Sequence, residues 1–132
     1  IQPYVRFEGK AREALTFYHS IFGGELHIMT VGDAPPDSCV EGTDPNTVMH
    51  GAVKAPEAVL MGTDMKMPGQ GVPDYSSFTL SIECKSKEQL DQVFAQLSEG
   101  GNPFLPAHQP FWGGWFAMVT DQFGISWMVS AP

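Results

Sequence analysis

Ser77-Phe78-Thr79-Leu80-Ser81-Ile82 alternates polar and apolar side chains, and Lys87 to Leu97 then sets Leu90, Val93, Phe94 and Leu97 at helical spacing before Gly100-Gly101. The first stretch has the period of two of a half-buried strand. The second has the period of a helix lying on a core, ended by paired glycines. The same order stands near the start of the chain. Ile1 to Phe7 alternates, with Pro3, Val5 and Phe7 on one face and Gln2, Tyr4 and Arg6 on the other. Glu8-Gly9-Lys10 then turns the chain into a second helical pattern at Ala11, Leu15, Tyr18 and Phe22, which Gly23-Gly24 stops.

Working outward, Leu26 to Val31 reads as a strand, and Gly32 to Asn46, rich in Pro, Asp and Gly, as a long loop and candidate pocket lid. Thr47 to Lys54 and Ala58 to Gly62 read as strands joined by a turn at Ala55-Pro56-Glu57. In the later half, Phe104-Leu105, Trp115 to Thr120 and Ile125 to Ser130 are strand candidates, with the last turn at Asp121-Gln122-Phe123-Gly124. Sliding the halves by 75 positions pairs Arg6-Phe7-Glu8 with Ser81-Ile82-Glu83, Leu15 with Leu90, Tyr18 with Val93 and Phe22 with Leu97. At the last strands the offset falls to 67, where Ala58-Val59-Leu60-Met61 matches Ile125-Ser126-Trp127-Met128. An internal repeat fixes architecture. The expectation is an α+β fold of two βαβββ modules that form a curved mixed sheet around one shared pocket. Residues 1–132 make a single domain, with module one over about 1–64, a linker of Gly and Pro breakers over about 65–75, and module two over about 76–132.

Composition narrows the partners. Of 132 residues, 42% are hydrophobic and 17% charged, enough apolar content to build a core and unlike a disordered chain. Fifteen acidic against seven basic residues give a net charge of −8, which repels phosphate backbones and anionic lipid, so neither nucleic acid nor membrane is expected. No apolar run approaches the roughly 20 residues that span a bilayer. Ile1 to Arg6 does not read as a signal peptide, and the cytoplasm is the expected location. Cys39 and Cys84 have neither zinc-site nor disulfide spacing, and both read as reduced thiols with no assigned role.

The repeat with polar inner faces resembles the vicinal-oxygen-chelate superfamily of glyoxalase I, bleomycin-resistance proteins and extradiol dioxygenases. More narrowly, Tyr4-Val5-Arg6-Phe7, Glu13-Ala14-Leu15 with Phe17-Tyr18, Phe22-Gly23-Gly24, Met49-His50, Phe111-Trp112-Gly113 and the run from Met118 to Met128 look like its PhnB-like branch. Some members of that branch carry the label of a 3-demethylubiquinone-9 3-methyltransferase domain. A methyltransferase needs a nucleotide-like cofactor site, usually a Gly-rich turn between strand and helix, and none follows a strand here. No cofactor is expected.

In metal-bearing relatives, one residue from the first strand and one from the last strand of each half converge on the ion. Carried onto this chain, those places are Gln2, Met61, Ser77 and Met128, with Met where the metal enzymes have Glu. A thioether gives a hard divalent ion neither charge nor strong donation, so no metal is expected. Met61 and Met128 read as a flexible apolar floor or as core filler. Strand alternation sets Tyr4, Arg6, Thr79, Ser81, Ser126 and Ser130 on the concave side, a polar-lined cup that is either a ligand pocket or a solvated sheet face. Arg6 could grip a carboxylate or phosphonate, or bridge to Glu8 or Glu83. His50, mid-strand, is the candidate general base or ligand, against a purely structural role. His108 and the loop Trp112-Gly113-Gly114-Trp115 could clamp a planar ligand or pack a dimer interface.

The sequence thus points to a PhnB-like protein that binds a small organic molecule in a metal-poor pocket, as a homodimer by resemblance. The alternatives are a glyoxalase-type lyase, isomerase or dioxygenase using His50 with Gln2 or Glu57, and a drug-sequestering resistance protein.

Overall fold

Ala11, Ala14, Leu15 and Tyr18 lie on one stripe of helix α1 (Ala11–Phe22) and are fully buried, so the helix has one face that must cover a sheet. The computed structural model describes residues 1–35, 43–66 and 68–132, and these form two compact units, Ile1–Pro73 and Asp74–Pro132. In the first, α1 covers a four-stranded sheet of β1 (Tyr4–Arg6), β2 (Glu25–Thr30), β3 (Val48–Lys54) and β4 (Val59–Thr63) in the order β1-β4-β3-β2. In the second, α2 (Lys87–Ser98) accompanies β5 (Thr79–Glu83), β6 (Asn102–His108), β7 (Trp115–Thr120) and β8 (Ser126–Ala131) in the order β5-β8-β7-β6. First and last strands pair in parallel in both units and the other neighbours are antiparallel. The expected α+β fold of two βαβββ modules is therefore present.

The helix-facing side of the first sheet carries Val5, Val53 and Leu60, all buried, and two glycines that are cross-strand partners, Gly51 and Gly62. Both sit where a neighbour comes close. A Cβ on Gly51 would run into Leu15 Cδ1, and one on Gly62 would lie 2.5 Å from Phe7 Cε2 and 3.1 Å from the Val5 carbonyl. In the second unit Ile82, Leu90, Val93, Leu97, Val119, Trp127 and Val129 make the corresponding core. Burying each such side chain contributes about 1.5–3 kcal/mol.

Different devices start the two helices. Ser86 caps α2, its Oγ accepting from Gln89 N at 3.2 Å, while Gln89 Oε1 accepts from Lys85 N at 2.7 Å. No side chain of Lys10 caps α1. Instead Asp64, just past β4, reaches back so that Oδ1 accepts from Gly9 N at 2.8 Å and Ala11 N at 3.0 Å. Buried Asp121 does comparable work in the β7–β8 turn: its carboxylate accepts from Phe123 N, from Ile125 N and, at 2.8 Å, from Trp127 Nε1.

Several boundaries differ from expectation. The first strand begins at Tyr4 rather than Ile1: Pro3 has no N–H to give, and its carbonyl accepts from Met61 N instead. The fifth begins at Thr79 rather than Ser77, because Asp74 Oδ1 accepts from Ser76 N and Ser76 Oγ and holds Ser76-Ser77 in a turn. Strand β6 is longer than Phe104-Leu105 and includes Pro103 and Pro106, which an edge strand with shifted register tolerates. The middle of the expected lid over 32–46, residues 36–42 with Cys39 among them, lies outside the described residues. Its described ends are tied together, Gly32 N donating to the Pro45 carbonyl at 2.9 Å and Val31 N to that of Thr47.

Gly62→Ala tests the close approach of Phe7. The added methyl overpacks a spot walled by an aromatic ring and a backbone carbonyl, and the expected loss is about 1–3 kcal/mol, read as a lower urea midpoint at unchanged slope. Asp64→Ala should cost about 0.5–2 kcal/mol in the same measurement by uncapping α1.

Candidate functional site

The strand hydrogen bonds correct the repeat alignment. Phe7 N donates to the Thr63 carbonyl at 2.9 Å, and Cys84 N donates to that of Ser130 at 2.7 Å. These two bonds occupy the same place in each module, so Phe7 corresponds to Cys84 and Tyr4 to Ser81, an offset of 77 where the sequence pattern gave 75. The helices keep 75, with Leu15 and Leu90 both fully buried. The first module takes up the difference in its strand-to-helix turn, where Glu8 and Gly9 both adopt left-handed backbone. The last strands keep 67: Met61 faces Tyr4 and Met128 faces Ser81 in equivalent registers. Gln2 and Ser77 are exposed and lie outside the strands, and neither is the residue opposite its methionine.

On the first sheet, the face turned away from α1 carries Tyr4, Arg6, His50 and Met61. Tyr4 and His50, 46 positions apart, stack with ring centroids 5.5 Å apart at 19°, and the phenol oxygen lies 3.2 Å from Nδ1 in a hydrogen bond. The phenol donates when Nδ1 is unprotonated. Arg6 Nη2 donates to the Gly71 carbonyl at 2.6 Å, which ties the strand to the segment after β4. Glu57 is not brought to His50: it sits in the turn beyond the far end of β3, and the four steps from His50 to Lys54 already span about 13 Å.

On the second sheet, the face away from α2 is ordered in rows. Thr79 and Ser126 are partners, and Ser126 Oγ lies 3.3 Å from Thr120 Oγ1. The next row runs Ser81, Met128, Met118 and Leu105 across four strands. The last runs Glu83, Ser130, Phe116 and His108. The arrangement is a polar border around half-buried thioethers. Where β5 and β8 end, a cleft of about 540 Å³ opens, lined by Glu83, Cys84, Ser130, Ala131, Pro132 and the loop from Trp112 to Trp115. Trp112 is 62% exposed and is held by edge-on contacts with Phe111 and Phe116, at 5.0 and 5.5 Å between centroids. Sequence reading singled out Trp112 but missed the cleft, whose walls come from three segments far apart in the chain.

Two βαβββ units with polar faces opposite their helices define the glyoxalase/bleomycin-resistance type of fold. A crystal structure of such a protein from Albidiferax ferrireducens matches all of this chain and 98% of its own at a TM-score of 0.64 and 18% identity. Within that class the chain belongs to the family described as 3-demethylubiquinone-9 3-methyltransferase, whose model matches residues 1–130. The protein YjdN of Escherichia coli K12 is 30% identical over 98% of this chain and 93% of its own length. The crystal structure of protein PA1353 from Pseudomonas aeruginosa is 34% identical, covering 99% of this chain and 96% of its own, at a TM-score of 0.84. A PhnB protein from Bacillus cereus is 26% identical at a TM-score of 0.76, covering 100% and 98%.

Neither group that these likenesses bring to mind fits the residues present. A divalent ion between first and last strands would meet Tyr4 with Met61 and Ser81 with Met128, neutral hydroxyls and thioethers that bind hard cations poorly. Among the described residues, no three His, Cys, Asp or Glu side chains gather as ligands. For the methyl-donor cofactor, the strand-to-helix turns are Phe7 to Lys10 and Cys84 to Ser86, neither of them the Gly-rich loop that cradles a nucleotide.

Asp74, which shapes the approach to β5, has its carboxyl held below the usual aspartate value by hydrogen bonds from the Ser76 hydroxyl and Ser76 N. Asp33 is lowered likewise by Thr30 N and the Thr30 hydroxyl, with Arg12 adding a smaller pull. A depressed folded-state pKa stabilises at pH above the unfolded value, about 3.9, and that contribution disappears as pH falls through the folded value. The stability gap between the native chain and Asp74→Ala should therefore be constant at neutral pH and close below about pH 4, as followed by urea unfolding across pH.

Proposed function

We propose that the open face of each sheet binds small organic molecules, with no divalent metal taking part. The observation that carries the reading is that Glu83 and Ser130 belong both to the polar border of the second sheet and to the wall of the 540 Å³ cleft. A half-buried floor of Met118 and Met128 thereby runs toward an aromatic-walled recess. Small-molecule sites are commonly of this size, mostly apolar with a few polar groups that orient the ligand. Thr79, Ser81, Met128 and Trp112 are the proposed contacts in the second unit. Tyr4, Arg6, His50 and Met61 are those in the first, with the flanking Gln2 and Ser77 at the margins. The thioethers adapt to ligand shape, and the Tyr4–His50 pair offers a polar edge.

The same reading takes the chain as a cytoplasmic homodimer. Two cysteines without disulfide spacing fit a reducing compartment, and the exposed Phe104 and Phe111 fit a protein-covered surface. Light scattering at micromolar concentration should give twice the chain mass.

A thermal-shift screen of small organic compounds, with and without chelator, tests the binding. Ligands should raise the melting temperature by mass action equally in both conditions and should perturb Trp112 fluorescence. Trp112→Ala should lower their affinity at least about tenfold, a hot-spot-sized loss of 1.4 kcal/mol or more. Stabilisation that appears only with added divalent metal would refute the reading.

A further inference from the structure

We infer that the cleft between Trp112, Glu83 and the end of β8 selects small organic cations, with an apolar body on the indole and a positive charge beside the carboxylate. This rests on the reading that the cleft is the ligand site, and it adds the ligand's charge. Glu83 is the one acidic side chain among the lining residues, and no Lys, Arg or His is among them. An anionic ligand would face that carboxylate without a counter-charge. A cation finds the carboxylate, the Ser130 hydroxyl of the paired strand and an aromatic wall.

The neighbourhood already holds a cation in this way. The Lys87 ammonium sits 4.9 Å from the centroid of the Trp115 ring. Its charge is matched by Asp91 Oδ2 at 2.8 Å, so it does not oppose a second cation in the recess. Trp112, by contrast, keeps more than half of its surface open. Between the two indoles, Gly113 and Gly114 take φ of 97° and 72°, backbone that other residues rarely adopt, and a Cβ on Gly113 would meet nothing within 4 Å. The loop therefore turns without filling the space beside Trp112. The chain's net charge of −8 adds a long-range pull on cations.

N-methylquinolinium and quinoline have nearly the same shape and differ in charge at pH 8. Titrating each into the full chain, by tryptophan fluorescence and amide chemical shifts, should show the cation binding about tenfold more tightly in low salt, with the preference shrinking as salt rises. Glu83→Gln should remove that preference by weakening the cation more than quinoline, and Trp112→Ala should weaken both. Equal affinities for the two probes, or a preference that survives Glu83→Gln, would overturn the charge assignment while leaving the binding site standing. If neither probe binds and the wider compound screen also yields nothing, the cleft is not a ligand site and both readings fall together.

Discussion

Parallel pairing of first and last strand is the constraint on which each half of this molecule depends. It forces the chain to leave β1 through a helix, lay that helix across the sheet, and return through two antiparallel strands before closing beside its own start. The helix takes one face of the sheet, so every residue of the closing pair that alternates away from it is available for other uses. Tyr4 beside Met61 and Ser81 beside Met128 are the outcome. The cores beneath reflect the same demand for closeness: Gly51 and Gly62 remove side chains where Leu15 and Phe7 press in, and Asp64 ties the end of the closing strand to the start of the helix.

Much of the fold could be read from the chain because its two periods are clean. Along Thr79 to Ile82 the apolar Leu80 and Ile82 are the more covered residues, and the helical stripe of Leu90, Val93 and Leu97 lies in the core as the pattern implied. Strand register was less legible. Two left-handed residues, Glu8 and Gly9, lengthen one turn, and no hydrophobic pattern reports an insertion that falls between two correctly read elements. Prolines hid the true extent of β6 in a similar way, because their cost depends on whether the strand is an edge.

The candidate site was legible in its residue types and not in its contacts. Sequence could place Tyr4, Ser81 and Met128 on polar-facing strand positions. It could not pair His50 with Tyr4, since a stacking contact over 46 positions depends on strand order, which β4 sets by inserting between β1 and β3. The family's description names a methyl transfer. The strand-to-helix turns lack the nucleotide-cradling loop that such a transfer calls for, and the methionine positions offer a hard cation only thioethers.

The three tryptophans divide the molecule's light. Trp127 is 4% exposed and hydrogen-bonded to a buried carboxylate, whereas Trp112 is 62% exposed at the cleft mouth. A core indole in a fixed field and a rim indole in water emit at different wavelengths, and the half-buried Trp115 also lines the recess, so one spectrum carries a core signal from Trp127 and a recess signal from Trp112 and Trp115. The protein thus comes with its own pair of optical reporters, and a change at the rim can be told from a loosening of the core without any attached label.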